Sequence, residues 1–407
     1  VTNQDAGLRG ESLPDGGAVP PIALPALFLK FLRFGALAFG GPVAQIAMLR
    51  QALVEEERWI DKPRFNRLLA VLQVLPGPEA HELCVHLGMI ARGRAGGLLA
   101  GLGFMLPGFV LMLLAGWAYV TWVAGRAGWS GILLGVQIVV LAVILRSVVR
   151  IGQHIIENRL LGLIAFASLA ATLLGAPFWI PLLAGGLAYA LAKRPALVML
   201  VVAVAVGLAV AASLLGVPVV QPIPLAHTSA GAGALFLAGL KGGLLTFGGA
   251  YTAIPYVRAD TVGRGWIGDA AFLDGIALAG VLPAPLVIFA TFVGYVAGGL
   301  EGALMITAGM FLPAFAFSLI FFERLEAVIE HPALHRVLEG VAAAVVGVIA
   351  ATFVHLAQAT AGRVMVPVLA LVLFAAALAA AWRLKGAWVT PAIMLAGALV
   401  GWWLLTT

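Results

Sequence analysis

FLKFLRFGALAFGGPVAQIA (residues 28–47) and FLAGLKGGLLTFGGAYTAIP (residues 236–255) align without a gap. Phe28 and Phe236, Leu32 and Leu240, Gly35 and Gly243, Phe39 and Phe247, Gly40-Gly41 and Gly248-Gly249, and Ile46 and Ile254 are identical; Arg33 meets Lys241, one base for another. The match runs on through Val54 and Val262, Trp59 and Trp266, Phe65 and Phe272, and Pro76-Gly77-Pro78 and Pro283-Ala284-Pro285. It continues through Gly88 and Gly294, Gly96 and Gly302, and Pro107 and Pro313, with two one-residue gaps. Chance supplies a glycine pair or a PxP, but not this ordered series, so the sequence reads as an internal duplication.

Composition says what kind of molecule is duplicated. Of 407 residues 62% are hydrophobic and only 10% charged, with a mean hydropathy of +1.08. A soluble chain of this size needs more charge to cover its surface, so the fold class is an all-α polytopic membrane protein with the lipid bilayer as its solvent. The net charge of +6 reflects bases in short loops between apolar runs rather than a nucleic-acid partner. The single cysteine, Cys84, excludes an internal disulfide and is expected to pack as a buried apolar group. Residues 1–22 read as a short disordered tail rather than a cleaved signal, because no apolar h-region precedes them. The chain opens on Val1, so it is expected to be part of a longer translation product.

The first repeat is expected over 23–216, a linker rich in Pro, Ala and Gly over 217–232, and the second repeat over 233–407. In the first, an apolar segment from about Pro25 stops at the glycine pair, and a second helix runs from Pro42 into the charged run at Glu55, with Trp59 as an interfacial anchor. A helix from Arg64 breaks at Pro76-Gly77-Pro78, because each proline removes a backbone donor, and resumes to Ala91. Apolar spans follow near 97–122, 130–150, 159–175, 178–192 and 195–215. The second copy repeats the broken pair near 233–257 and 270–297, then spans 301–322, 336–357, 364–381 and 387–405. Counting each broken element once gives about thirteen hydrophobic segments.

Basic loops orient them. If Arg92 and Arg94, the Arg146 to Arg159 loop, Lys193-Arg194, the Arg324 to Arg336 loop and Arg383 to Lys385 are all cytoplasmic, every intervening span crosses consistently. The two halves then have inverted topology, with the amino terminus cytoplasmic and the carboxyl terminus periplasmic. The Arg50 to Arg67 loop falls inside only if the first two elements are re-entrant hairpins rather than full crossings.

Inverted repeats with broken helices are the architecture of secondary transporters. A helix start presents free N–H groups and a partial positive charge, and breaks at Gly40-Gly41-Pro42, Pro76-Gly77-Pro78, Gly248-Gly249 and Pro283 to Pro285 could converge on one site. The bases point to an anion. Lys30 and Arg33 are the only charges between Asp15 and Arg50, and Lys241 the only one between Arg194 and Arg258. Arg33 and Lys241 each lie two helical turns before a glycine pair, and no acid nearby in sequence pairs with them. The bland alternative is that such side chains snorkel to the interface.

The pattern of GG, Val54, Trp59, PGP, Gly88 and Gly96 resembles the signature of the chromate ion transporter family, in its long-chain type with two fused domains of opposite orientation. The resemblance spans about Phe28 to the end. It implies a bacterial inner-membrane protein that expels chromate, with Gly40, Gly41, Pro42, Trp59, Pro76, Gly77 and Pro78 as motif residues. The second half keeps Gly248 and Gly249 but has Ala250 for Pro42 and Ala284 for Gly77, so unequal contributions are expected. Chromate is a tetrahedral dianion like sulfate, so a sulfate or other oxyanion carrier is the alternative. Neither requires a cofactor, and a uniporter, an exchanger and a proton-coupled carrier all remain open.

Glu79, Glu82 and His86 follow the first PxP break, while the second copy has Leu286 and Phe289 opposite the acids. An acid beside an anion site repels the substrate unless protonated, which makes these three proton-coupling candidates; alternatively the acids only complement the helix start. His81 and His355 are expected to be packed or interfacial rather than metal ligands, and no His/Cys/Asp spacing suggests a metal. An enzyme would need a nucleophile and base that the later spans lack, and a channel would need a polar lining. Gly and Ala in such numbers suit close helix packing, including a homodimer face.

Overall fold

Inside hydrocarbon a backbone must satisfy its own N–H and C=O groups, and this chain does so with helices. The computed structural model describes residues 22–39, 41–72, 77–177, 179–214, 230–246, 250–321, 332–384, 386 and 388–404, and no strand occurs among them. The tail, most of the linker, and Gly40, Pro76, Gly248 and Gly249 lie outside these residues.

Helix α1 (Leu24–Ala36) ends before the first glycine pair, and α2 (Gly41–Arg50) leaves it, continuing as a π-helical turn. Helix α3 (Lys62–Leu72) leads toward the PGP break and α4 (Glu79–Ala118) departs from it. Next come α5 (Ser130–Ile155), α6 (Arg159–Leu173), α7 (Trp179–Ala190) and α8 (Pro195–Leu214). The remainder comprises α9 (Ala232–Leu244), α10 (Ile254–Thr261), α11 (Asp269–Val281), α12 (Phe289–Ala316), α13 (Pro332–Ala361), α14 (Pro367–Arg383) and α15 (Val389–Leu404). Among the described residues four stretches, Glu79–Val123, Ser130–Ile155, Leu286–Ile320 and Arg336–Ala361, are long and apolar enough to cross a membrane, and six shorter apolar helices accompany them.

Two of those stretches are not straight. In α4, Arg92 (φ −145°, ψ 31°) and Gly93 (φ 60°, ψ −157°) leave the helix; in α12, Gly298 (φ −152°, ψ 24°) and Gly299 (φ 64°, ψ −152°) do the same. The arms fold back on each other, since a Cβ on Gly88 would lie 2.5 Å from Gly96 O and a Cβ on Gly294 2.5 Å from Gly302 O. The arm from Glu79 to Ala91 has 13 residues, about 20 Å at 1.5 Å per residue, short of the roughly 30 Å hydrocarbon core. Each hairpin thus packs a half-length arm against a longer one.

Glycine also sets the contacts around the hairpins. Gly35 of α1 abuts the Phe104 carbonyl and Gly103 the Phe28 carbonyl; in α9 and α12, Gly243 abuts the Met310 carbonyl and Gly309 the Phe236 carbonyl. Side chains removed at these points let backbones approach, which is how helices associate when lipid is as apolar as leucine. Helix α13 lies on α6 and α7 in the same way, at Gly347 and Gly340. Cys84 is buried as expected. Trp59 is a correction: it is 2% exposed rather than an interfacial anchor, edge-on to Phe31, with its ring nitrogen donating to Glu57 Oε2 at 2.9 Å.

Gly93 and Gly96 separate strain from clash. Gly93 occupies a backbone region nearly restricted to glycine, yet nothing lies within 4 Å of a Cβ built there, so Gly93→Ala should cost about 1–3 kcal/mol by strain alone. A Cβ on Gly96 would overlap the Gly88 carbonyl and lie 2.7 Å from Arg92 Cβ, so Gly96→Ala should lose at least as much by clash. Both should lower the unfolding midpoint of the detergent-solubilised protein, read by size-exclusion after heating. An unchanged midpoint for Gly93→Ala would refute the strained hinge.

Candidate functional site

The breaks meet across the two halves of the chain. The Gly77 N–H donates to the Thr246 carbonyl at 2.8 Å, tying the first PxP break to the residue before Phe247-Gly248-Gly249. Gln45 Nε2 donates to the carbonyls of Ala38 and Ala284, each at 2.9 Å, tying the first glycine break to the second PxP break. Gln45, Ala38, Thr246 and Ala284 are all buried. These bonds satisfy backbone groups that the interrupted helices leave open. The helices beyond the hairpins complete the junction. Ala284 Cβ presses on Gly108, the residue after Pro107, and Ala314, the residue after Pro313, places its Cβ 3.2 Å from where one on Gly77 would stand.

Local backbone makes these breaks possible. Gly41 (φ +79°) and Gly77 (φ +153°) both lie where a side chain is strained. Pro78, extended at φ −77° and ψ 104°, precedes the first residue of α4, and Pro285 precedes a 3₁₀ turn (Leu286–Ile288) into α12. Pro42 stands at the second position of α2, and Pro283 and Pro285 are buried.

The bases do not behave as their isolation in sequence suggests. Lys30 pairs with Glu57 and lies 5.2 Å from the centre of the Trp59 ring. Lys241 pairs with Asp260 at 2.8 Å, and Asp260 also meets Arg264 at 3.4 Å. The expectation that these bases lack acids is therefore corrected, because the fold brings acids from 19 to 27 residues away in sequence. Arg33 is exposed on α1 and forms no ion pair among the described residues.

The acids after the first break are inside. Glu82 is fully buried, and neither carboxylate oxygen has a hydrogen-bond partner among the described residues. Its Oε1 lies against Gly77, filling the space a Cβ there would take. Glu79 and His86 are buried at 9% and 7% exposure, and His81 sits edge-on between Phe311 and Phe315. His355 is only partly buried.

One polar cluster has no counterpart in the sequence reading. Asp274 of α11, 2% exposed, accepts from Gln137 Nε2 at 2.7 Å and from the Tyr119 hydroxyl at 3.0 Å; Gln137 Oε1 accepts from Arg363 at 2.8 Å. Asp274 and Tyr119 also line an apolar cavity of about 390 Å³ with Trp129, Val136 and Met394. The available signal was an acid inside the apolar run FLDGIALAGV and an amide, Gln137, inside the apolar first half of α5. Gln137→Leu strips both Asp274 and Arg363 of a partner and should cost about 1–3 kcal/mol, more than Tyr119→Phe, in thermal unfolding of the solubilised protein. Equal stability of Gln137→Leu and the parent would show that the cluster does not hold the helices.

The family model described as "Chromate transporter" matches residues 25–207 and 233–402. A chromate transport protein of Pseudomonas aeruginosa is 55% identical, the alignment covering 94% of this chain and 93% of that protein. A chromate transport protein of Cupriavidus metallidurans is 30% identical over 87% of each, and a probable chromate transport protein of Synechococcus elongatus is 29% identical over 94% of this chain and 96% of its own length. No solved structure matches.

Proposed function

Because the chain belongs to the chromate transporter family, whose members are membrane transporters rather than enzymes, we propose that it exports chromate from the cytoplasm as a secondary transporter of the bacterial inner membrane. The observation that carries this reading is the pairwise joining of the breaks. Gly77 meets Thr246, and Gln45 bridges Ala38 and Ala284, so helix starts from both halves gather at one buried junction. Matching hinges at Gly93 and Gly299 support a duplicated, inverted scaffold, with the amino terminus inside.

The oxyanion binds at this junction, held by the helix N-termini that follow the breaks at Gly40-Gly41-Pro42, Pro76-Gly77-Pro78, Gly248-Gly249 and Pro283 to Pro285, the Gly77 N–H itself being taken by the Thr246 carbonyl. Lys241 supplies charge, exchanging Asp260 for the dianion, and Arg33 attracts anions on α1. Lys30 is held by Glu57 and Trp59, which leaves it the weakest member of the set. Glu79, Glu82 and His86, confined to the first half, handle any coupled proton. The inside-negative potential assists a departing dianion by about 2.3 kcal/mol per charge per 100 mV. Sulfate has the same shape and charge, so it is the competing substrate, and two copies pair through Gly- and Ala-rich helix faces.

Inside-out vesicles containing the protein should accumulate chromate, with sulfate competing. Arg33→Gln and Lys241→Gln should each reduce uptake severalfold while leaving the protein in the membrane, and unchanged uptake by the double variant would remove the bases from the site. Orientation has its own measurement. Cysteines placed at Ala226 and Thr407 should label from outside intact cells and one at Arg194 should not; Ala226 labelling like Arg194 would make the halves parallel.

A further inference from the structure

We propose that the Glu82 carboxylate is a tethered anion occupying the first-half break, and that an oxyanion takes its place there only when Glu82 has gained a proton. This rests on the reading above that an oxyanion binds at the breaks. The geometry points to it in three ways. Glu82 stands in the first turn of α4, yet its side chain reaches back past the helix start to lie against Gly77. It is fully buried, and neither carboxyl oxygen has a hydrogen-bond partner among the described residues, so it does not cap the helix start, which would require it to accept from backbone N–H groups. Lastly, glycine and acid occur together: the first break has Gly77 with Glu82, whereas the second has Ala284 with Phe289. Where no carboxylate needs the space, the backbone carries a methyl group.

The charges facing Glu82 do not neutralise it. On its own helix stand Glu79, a second acid one turn earlier, with His81 and His86, while Arg92 and Arg94 are exposed at the hairpin turn; on α9, whose end meets Gly77, Lys241 pairs with Asp260. On α3, Arg64 acts on His86. On α1, Lys30 is committed to Glu57 and Arg33 is exposed. On α2, Arg50 pairs with Glu55 at 3.6 Å. On α11, Asp274 is bonded to Gln137 and Tyr119, and Asp269 to Arg258. On α12, the single charged residue is Glu301, exposed at the hairpin turn. A dianion entering beside ionised Glu82 would face like charge at close range, so proton uptake and anion binding favour one another, reciprocally.

Binding rather than transport tests this. Radiolabelled sulfate, a dianion throughout this pH range, is titrated onto the purified full-length protein in nanodiscs between pH 6 and pH 8. Affinity of the parent should fall about tenfold or more as pH rises through the range in which Glu82 loses its proton. Glu82→Gln should bind at pH 8 as tightly as the parent at pH 6 and vary less than about twofold. Proton uptake on sulfate addition, followed with an indicator dye in weak buffer, should be seen for the parent and be absent from Glu82→Gln. If Glu82→Gln keeps the parental pH dependence, or binds more weakly than the parent at every pH, the tethered anion is refuted while the break remains an oxyanion site. If the parent binds neither sulfate nor chromate at any pH, the site itself is wrong and this inference goes with it. Should Glu82→Gln not survive purification, Glu82→Met gives the same uncharged contrast with a similar chain length.

Discussion

A broken helix in hydrocarbon leaves backbone donors and acceptors that no water can reach, and here each half of the chain completes the other's. Gly77 would bury an unpaired N–H without the Thr246 carbonyl, and the Ala38 and Ala284 carbonyls would be open without Gln45. An orphaned buried polar group costs about 1–3 kcal/mol, so interrupting four helices is tolerable only if the interruptions are brought together. The same requirement that allows the fold therefore concentrates helix ends at one place. The proposed oxyanion site uses those helix ends, as a by-product of satisfying the rest.

Around that junction the packing is governed by what is missing. Gly88 against Gly96, Gly294 against Gly302, Gly35 against Phe104 and Gly243 against Met310 are backbone-to-backbone contacts, and each depends on the absence of a side chain. Large residues fill the spaces between, with Phe31, Phe65 and Phe104 in one cluster and Phe272, Phe289 and Phe292 in another. Such contacts hold short helical arms in fixed register, which a bilayer could not do through hydrophobicity alone.

Much of this was legible in the order of residues. Glycine and proline announce their backbone consequences locally, so the hinge at Arg92-Gly93, the break after Pro78 and the helix from Pro42 follow from the sequence. The aligned glycines also share surroundings in space, Gly103 with Phe28 as Gly309 with Phe236. Partners distant in the chain were not legible. Lys30 with Glu57 and Lys241 with Asp260 arise from how loops fold back on α1 and α9, and no local signal records that. Trp59 looked interfacial because charges flank it, yet those flanking charges cover it instead. Asp274 escaped notice because an acid within an apolar run is conspicuous only once Gln137, Tyr119 and Arg363 are seen around it.

The two contacts at the PxP breaks differ by the exchange of one methyl group. Gly77 faces Ala314, and Ala284 faces Gly108, so each contact holds a single Cβ, carried by the break in one case and by the passing helix in the other. Two copies of the first half joined alone would set Gly77 opposite Gly108, with no Cβ at the contact; two copies of the second would set Ala284 opposite Ala314, with two. At these contacts each half is matched to the other rather than to a copy of itself. The two sides of each contact are matched like a lock and its key, so a methyl added on one side crowds its partner in the opposite half.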